Sequence, residues 1–242
     1  MRTTRIQLPT PLVEGRFLER PNRFLIRCGV SGHDGVQEVH LADPGRLKEL
    51  LLPGARVMLH PATGRRRRTR WTAVLVESQG SGWVGLRTTL PNDLIGEALR
   101  ARALEELSDW SLVRAEWTHG RSRFDFLLED GDSRQLALEV KGVSLVVDGV
   151  ARFPDAVSAR AARHVRELAA LVREGTMDAA VLFVLQRDDA DSVEAAGHID
   201  PDFAEALGEA KEAGVRLLGR RCRVSLGRVE LGGSVPVGRE LS

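Results

Sequence analysis

Tyrosine is absent from this 242-residue chain, and aromatic residues make up only 5% of it. Lysine is nearly absent too: Lys48, Lys141 and Lys211 stand against 32 arginines. Cysteine occurs twice, as Cys28 and Cys222, far apart and without metal-ligand spacing. That excludes a thiolate metal cluster and a disulfide framework, and points to free thiols in a cytosolic protein. No apolar run approaches the roughly 18 residues that a membrane span needs. The opening stretch, MRTTRIQLPTPLVEGRF, shows no apolar segment of the secretory kind, so a cytoplasmic protein without membrane contact is expected. Hydrophobic residues reach 43%, enough for a real core.

A net charge of +1 hides an asymmetry. Residues 1–90 carry +8 and residues 91–242 carry −7. A basic part suits a polyanion, and an acidic part suits cations. The basic part reads as β-rich. Short apolar runs, Arg23–Cys28, Gln37–Leu41, Ala55–His60, Thr72–Glu77 and Trp83–Arg87, are separated by glycine, proline and serine. Such spacing fits a small barrel of the OB kind, and these barrels bind nucleic acid with a basic groove and stacking rings. Ring supply is thin here: Phe17, Phe24, Trp71 and Trp83. Arg65, Arg66, Arg67 and Arg68 form a run that reads either as a phosphate-contacting loop or as a solvated one, and Arg46 in the turn after His40 is a further candidate contact.

The acidic part centres on RFDFLLEDGDSRQLALEVKG, residues 123–142. Two apolar-rich runs flank a polar segment, which is a hairpin signal. In the second run Leu136, Leu138 and Val140 alternate with Ala137, Glu139 and Lys141, so the carboxylate and the ammonium leave one face. If the runs pair, Asp125 converges with Glu139 beside Lys141. Two such carboxylates suit a hard divalent cation. The ordinary alternative is a surface Glu–Lys pair. Against it stands the scarcity of lysine: a site that wants a compact cation with a movable pKa cannot use arginine.

Around the hairpin the pattern is α-β-β-β-α-β-α-β, a mixed sheet with helices on its faces. Asn92 reads as the N-cap of a first helix with an apolar stripe from Leu94 to Leu107, and Glu97 lies inside it. A strand over Ser111–Trp117 contains Glu116. A second helix carries Val157, Ala161, Val165, Leu168 and Val172 and stops at Gly175, with Arg160 and His164 on one face as candidate phosphate contacts, joined by Arg123 before the hairpin. Ala180–Leu185 is a buried strand, Asp200–Pro201 opens the last helix, and Val215–Leu218 and Arg221–Leu226 finish as strands. A boundary falls at 88–89, giving domains 1–88 and 89–242.

Several blocks then act together: EGRFLERPNRFL, H-x4-G-R-L, TTLPNDL, GRSRFDFLL, LEVK, FPDAVS-x-R and VLFVLQ. They run from about Glu14 to Cys222 and resemble the sugar fermentation stimulation protein family, SfsA. The resemblance implies an OB-like barrel followed by a PD-(D/E)xK, restriction-endonuclease-like domain in a prokaryotic protein that binds and hydrolyses DNA or RNA. It places Asp125, Glu139 and Lys141 on the nuclease motif and Glu97 where such folds carry a helix glutamate. Mg²⁺ or Mn²⁺ would then sit on Asp125, Glu139 and the Val140 carbonyl, with Glu97 and Glu116 toward a second metal or its waters. His40-Leu-Ala-Asp-Pro-Gly departs from the family's His-x-Pro-Asn-Thr-Gly, and Ala161 replaces a common glycine. A non-catalytic DNA-binding regulator of sugar metabolism genes and a sugar-responsive module are the alternatives. Oligomeric state stays open, a homodimer included.

Overall fold

The structure, a computed structural model, describes residues 4–62, 64, 67–78, 82–120 and 122–238. Its elements in chain order begin with β1 (Arg5–Gln7), β2 (Val13–Asn22), β3 (Leu25–Val30), β4 (Val36–His40), β5 (Arg56–Pro61), β6 (Trp71–Ser78) and β7 (Gly82–Gly85). Then come α1 (Leu90–Arg100), β8 (Ser111–His119), β9 (Ser122–Glu129), β10 (Gln135–Val143), β11 (Val146–Val147) and β12 (Val150–Phe153). The chain closes with α2 (Ala159–Arg173), β13 (Asp178–Leu185), β14 (Ser192–Ala195), α3 (Pro201–Ala213), β15 (Arg216–Val224) and β16 (Arg228–Ser234).

The barrel forms because β4 pairs with both β3 and β6. The sheet runs β4-β3-β2-β5-β6-β7, and a parallel contact, Val39 with Trp71, closes its first five strands. Phe17, Ile26, Val39, Leu59 and Leu86 fill the interior. This is the expected OB barrel. Strand β2 had no strand signal, because eight of its ten residues are only partly buried or exposed and just Gly15 and Phe17 point inward.

The second sheet runs β1-β16-β15-β13-β10-β9-β8. β10, β13 and β15 are parallel, and the flanking strands are antiparallel. The central strand β13 is apolar over seven residues because helices cover both faces. On one face α1 packs with Leu136, Leu138 and Val140, and this core continues into Met58, Val74 and Leu75 of the barrel. On the other face α2 and α3 pack against Ala137, Val181 and Phe183. The two domains thus share apolar core as well as polar ties: Arg187 donates to the Ser78 hydroxyl at 2.7 Å, and the Arg46 backbone N–H donates to Asp155 at 2.5 Å.

Three expectations change. β1 belongs to the large mixed sheet, with Arg5 opposite Glu230, so the first residues pair outside the barrel. Helix α1 begins at Leu90 after Thr89, and Asn92 lies inside it instead of capping it. The helix ends at Arg100, since Arg102 takes a positive φ of 50° and the chain turns into a short 3₁₀ segment, Glu105–Leu107. The final two expected strands are one continuous β15, and β16 follows it.

Helix α3 shows how tightly the second domain is tied. Asp200 is buried, caps α3 through Phe203 N–H at 3.1 Å, and accepts Ser158 N–H, at the start of α2, at 2.8 Å. Asp200→Ala leaves two buried donors bare, so stability should fall by about 2 kcal/mol, near 5 °C in Tm. Asp200→Asn, which keeps one acceptor oxygen, should recover about half; thermal unfolding of both variants checks it.

Candidate active site

The hairpin β9–β10 pairs Gln135 with Glu129, Leu136 with Leu128 and Leu138 with Phe126. Continuing that register sets Glu139 opposite Asp125. The alternation of β9 breaks at this point: Phe126 packs into the α1 core, while Phe124 packs into the α2 core. Glu116 in β8 adds to the break. It lies between the pairs Ala115–Phe126 and Trp117–Phe124, and its φ of 53° is left-handed, a backbone region that costs a non-glycine residue energy. Asp125 therefore turns to the strand edge, between α1 and β10.

Each carboxylate has a distinct set of partners. Asp125 accepts the Asn92 side-chain amide on Oδ1 at 2.5 Å and the Val140 backbone N–H on Oδ2 at 2.7 Å. Burial pushes its pKa up to about 6, and the neighbouring Glu139 adds to the rise. Glu139 goes the other way. Burial alone would raise it, but the His164 hydrogen bond and the Lys141 charge together hold it below the usual carboxylate range. Both partners meet the same oxygen: Lys141 Nζ lies 2.7 Å and His164 Nδ1 2.9 Å from Glu139 Oε1. A carboxylate only accepts, so His164 donates from Nδ1. Its ring is fixed edge-on by Phe124 at 5.7 Å. Glu139 Oε2 is buried with no partner.

That bare oxygen is the test of a metal. A buried carboxylate oxygen without a donor is costly, and a hard cation is the group that removes the cost. Asp125, pushed toward protonation by burial and then by Glu139, is relieved by the same charge. The pair fits a divalent cation. Among the described residues no group of three or more His, Cys, Asp and Glu side chains gathers as a metal-binding set. Glu97 pairs with Arg100 at 2.8 Å, and Glu116 lies 3.7 Å from Arg123. Both line one open cleft of 740 Å³ with Asp125, Asn92 and Arg160.

The basic candidates separate. Arg123 and Arg160 border that cleft. Arg46 is exposed on the barrel. Arg67 donates to the Thr72 hydroxyl at 2.7 Å, and Arg68 is exposed. Arg65 and Arg66 lie outside the described residues. His164 is the correction: its side chain is 3% exposed, so it meets Glu139 and not a phosphate from solvent. Sequence reasoning missed this role because i, i+4 spacing names a face without saying which way it looks. It also missed Asn92, whose good capping chemistry absorbed the signal.

A family model described as the sugar fermentation stimulation protein RE domain matches residues 89–228, and its N-terminal OB domain matches residues 18–86. The chain belongs to the sugar fermentation stimulation protein family. A homolog of that name in Shouchella clausii is 44% identical over 232 residues, covering 96% of this chain and 99% of the relative. One in Moorella thermoacetica is 43% identical over 221 residues, covering 90% and 93%. SfsA of Pyrococcus furiosus, solved in complex with Ca²⁺, is 27% identical and superposes with a TM-score of 0.86 over 99% of this chain and 100% of that one. The family assignment accounts for the OB barrel followed by an α/β domain with a mixed sheet.

Opposite partners give the two carboxylates opposite effects on stability. The folded pKa of Asp125 exceeds its unfolded value of 3.8, so its contribution is lost as pH rises through the window from about 4 to 6. Asp125→Asn should therefore stabilise the metal-free protein at pH 7 by about 2 kcal/mol and remove that loss; the amide keeps a carbonyl for Val140 and an NH₂ for a turned Asn92. Glu139→Gln should destabilise by about 3 kcal/mol, because Lys141, 11% exposed, loses its counter-charge. Unfolding in EDTA at pH 5 and pH 7 reads both signs, and equal shifts for the two variants would contradict the account.

Proposed function

We propose that this protein is a metal-dependent phosphodiesterase that hydrolyses nucleic acid, DNA or RNA, with Mg²⁺ or Mn²⁺ held by Asp125, Glu139 and the Val140 carbonyl. One observation carries the reading: Glu139 gives one oxygen to Lys141 and His164 and keeps the other buried and bare beside Asp125. A surface Glu–Lys pair has no reason to leave a buried acceptor unpaired. The family relative solved with Ca²⁺, a hard cation, supports it.

The cation would supply charge neutralisation at the phosphate and a lower pKa for the attacking water. The chain's own residues supply position. Val140 N–H and Asn92 hold Asp125 from two directions, fixing its oxygens at the edge of β10. His164 holds Glu139 so that its bare oxygen keeps one orientation. Lys141, anchored on the same carboxylate, presents a compact cation to a phosphate oxygen or to the water. Arg123 and Arg160 border the cleft where the phosphate chain would lie. Glu97 and Glu116 line it too, placed for outer waters or a second ion.

Asp125→Ala should remove metal-dependent cleavage while the fold persists. Lys141→Arg should lower it by about a hundredfold although charge is kept, since guanidinium is larger, planar and always protonated. Single-turnover cleavage of labelled DNA and RNA strands with Mg²⁺, Mn²⁺ or EDTA measures both. Wild-type rates in the Asp125 variant, with contaminating nuclease excluded, would refute the site.

A further inference from the structure

A second cleft, of 630 Å³, lies between the barrel and the nuclease-like domain. Arg23, Arg46 and Lys48 line it from the barrel side, and Phe153, Asp155 and Val157 from the other. All three cations are exposed, and none pairs with a carboxylate among the described residues. Neighbouring barrel arginines differ: Arg27 pairs with Glu19 and Glu38, and Arg56 with Glu14 and Glu77. Lys48 is also one of only three lysines in the chain.

The cationic wall is built, not incidental. Arg20 donates to backbone carbonyls alone, those of Asn22, Arg23, Asp43, Gly45 and Arg46, at 2.7–3.3 Å. One guanidinium thus ties the turn that carries Arg23 to the loop that carries Arg46. Phe24, next in sequence to Arg23, leaves 52% of its surface in solvent, and its backbone is fixed by the Asn22 side chain at 2.9 Å. An exposed ring beside unpaired cations is the pairing that stacks bases and holds phosphates.

The cleft continues toward the catalytic residues. A narrower passage of 260 Å³ shares Pro44, Gly45, Phe153 and Asp155 with it and reaches Lys141. Thr88 borders both this passage and the Asp125 cleft. The passage carries Asp43 and Asp155, whose carboxylates accept the Gly45 and Arg46 backbone N–H groups. Their charge repels phosphate and offers acceptor oxygens to base amino groups. At 260 Å³ the passage is less than half the volume of the 630 Å³ cleft it leaves.

We propose that the interdomain cleft binds a single-stranded segment of the substrate, with phosphates along Arg23, Arg46 and Lys48 and unpaired bases turned toward the passage to Lys141. This deepens the nucleic-acid reading above and rests on it. Duplex is disfavoured because its Watson–Crick edges are already paired and its bases are held in the stack.

Fluorescence anisotropy in EDTA tests it without any cutting. The probes are a labelled strand of about 16 nucleotides, the upper end of the site size for one OB fold, and the same sequence as a blunt duplex. Single strand should bind about tenfold or more tightly than duplex. Replacing Arg23, Arg46 and Lys48 together with alanine should weaken single-strand binding and flatten its log–log salt slope by about 2. Phe24→Ala should weaken it at unchanged slope. Lys48→Glu alone, on an exposed side chain, should show the same direction if the triple variant proves unstable. Duplex binding equal to or tighter than single strand overturns the proposal, as does wild-type affinity and slope in the triple variant. Failure to bind either probe likewise overturns it; in each case metal-dependent cleavage, measured separately, decides the phosphodiesterase reading.

Discussion

Two donors on one carboxylate oxygen hold this site together. Lys141 and His164 both reach Glu139 Oε1, which fixes the carboxylate and leaves Oε2 without a partner in a buried place. Everything nearby is arranged around that asymmetry. Phe124 steadies the imidazole, the broken alternation of β9 lets Asp125 approach, and Asn92 reaches out of α1 to meet it. A buried acceptor left bare is a standing cost to the fold. Here the cost lies where two carboxylates and one ammonium meet, at the oxygen that the proposed cation would occupy.

Much of this was legible in the chain. The register of a short hairpin and period-two alternation are enough to bring Asp125 toward Glu139 and to put Lys141 on the face of Glu139. Rarity of lysine marked Lys141 as a choice and not a default. The barrel was legible from its spaced apolar runs. What stayed hidden depends on tertiary direction. Asn92 has capping chemistry, and only the start of α1 at Leu90 shows that its amide serves Asp125. His164 sits among arginines on a helix, and only the packing of α2 against the sheet turns it inward. β2 escaped notice because a barrel strand with exposed charged residues on its outer face shows too few apolar residues to register.

The charge split takes on a concrete form. Many barrel and helix arginines are matched to carboxylates, among them Arg56, Arg87 and Arg166. The positive excess that remains open collects on the barrel wall facing the acidic domain, where Arg20 organises the loops from inside using backbone carbonyls. An arginine with no carboxylate of its own holds other cations in place. Arg20 gives its donors to carbonyls, and the Asp43 and Asp155 carboxylates take backbone N–H groups of the Arg46 loop, so the side chains of Arg23, Arg46 and Lys48 are left open.

The short strand β1 decides how the two halves are joined. Arg5–Gln7 pairs with Arg228–Glu230 at the edge of the large sheet, and the chain leaves that sheet to build the barrel before returning at α1. In connectivity the barrel is an insertion into the other domain. It is joined to that domain by two crossings of the chain rather than one. No single cut in the chain therefore separates barrel from large sheet: removing residues 1–88 would also strip β1 from the sheet's edge.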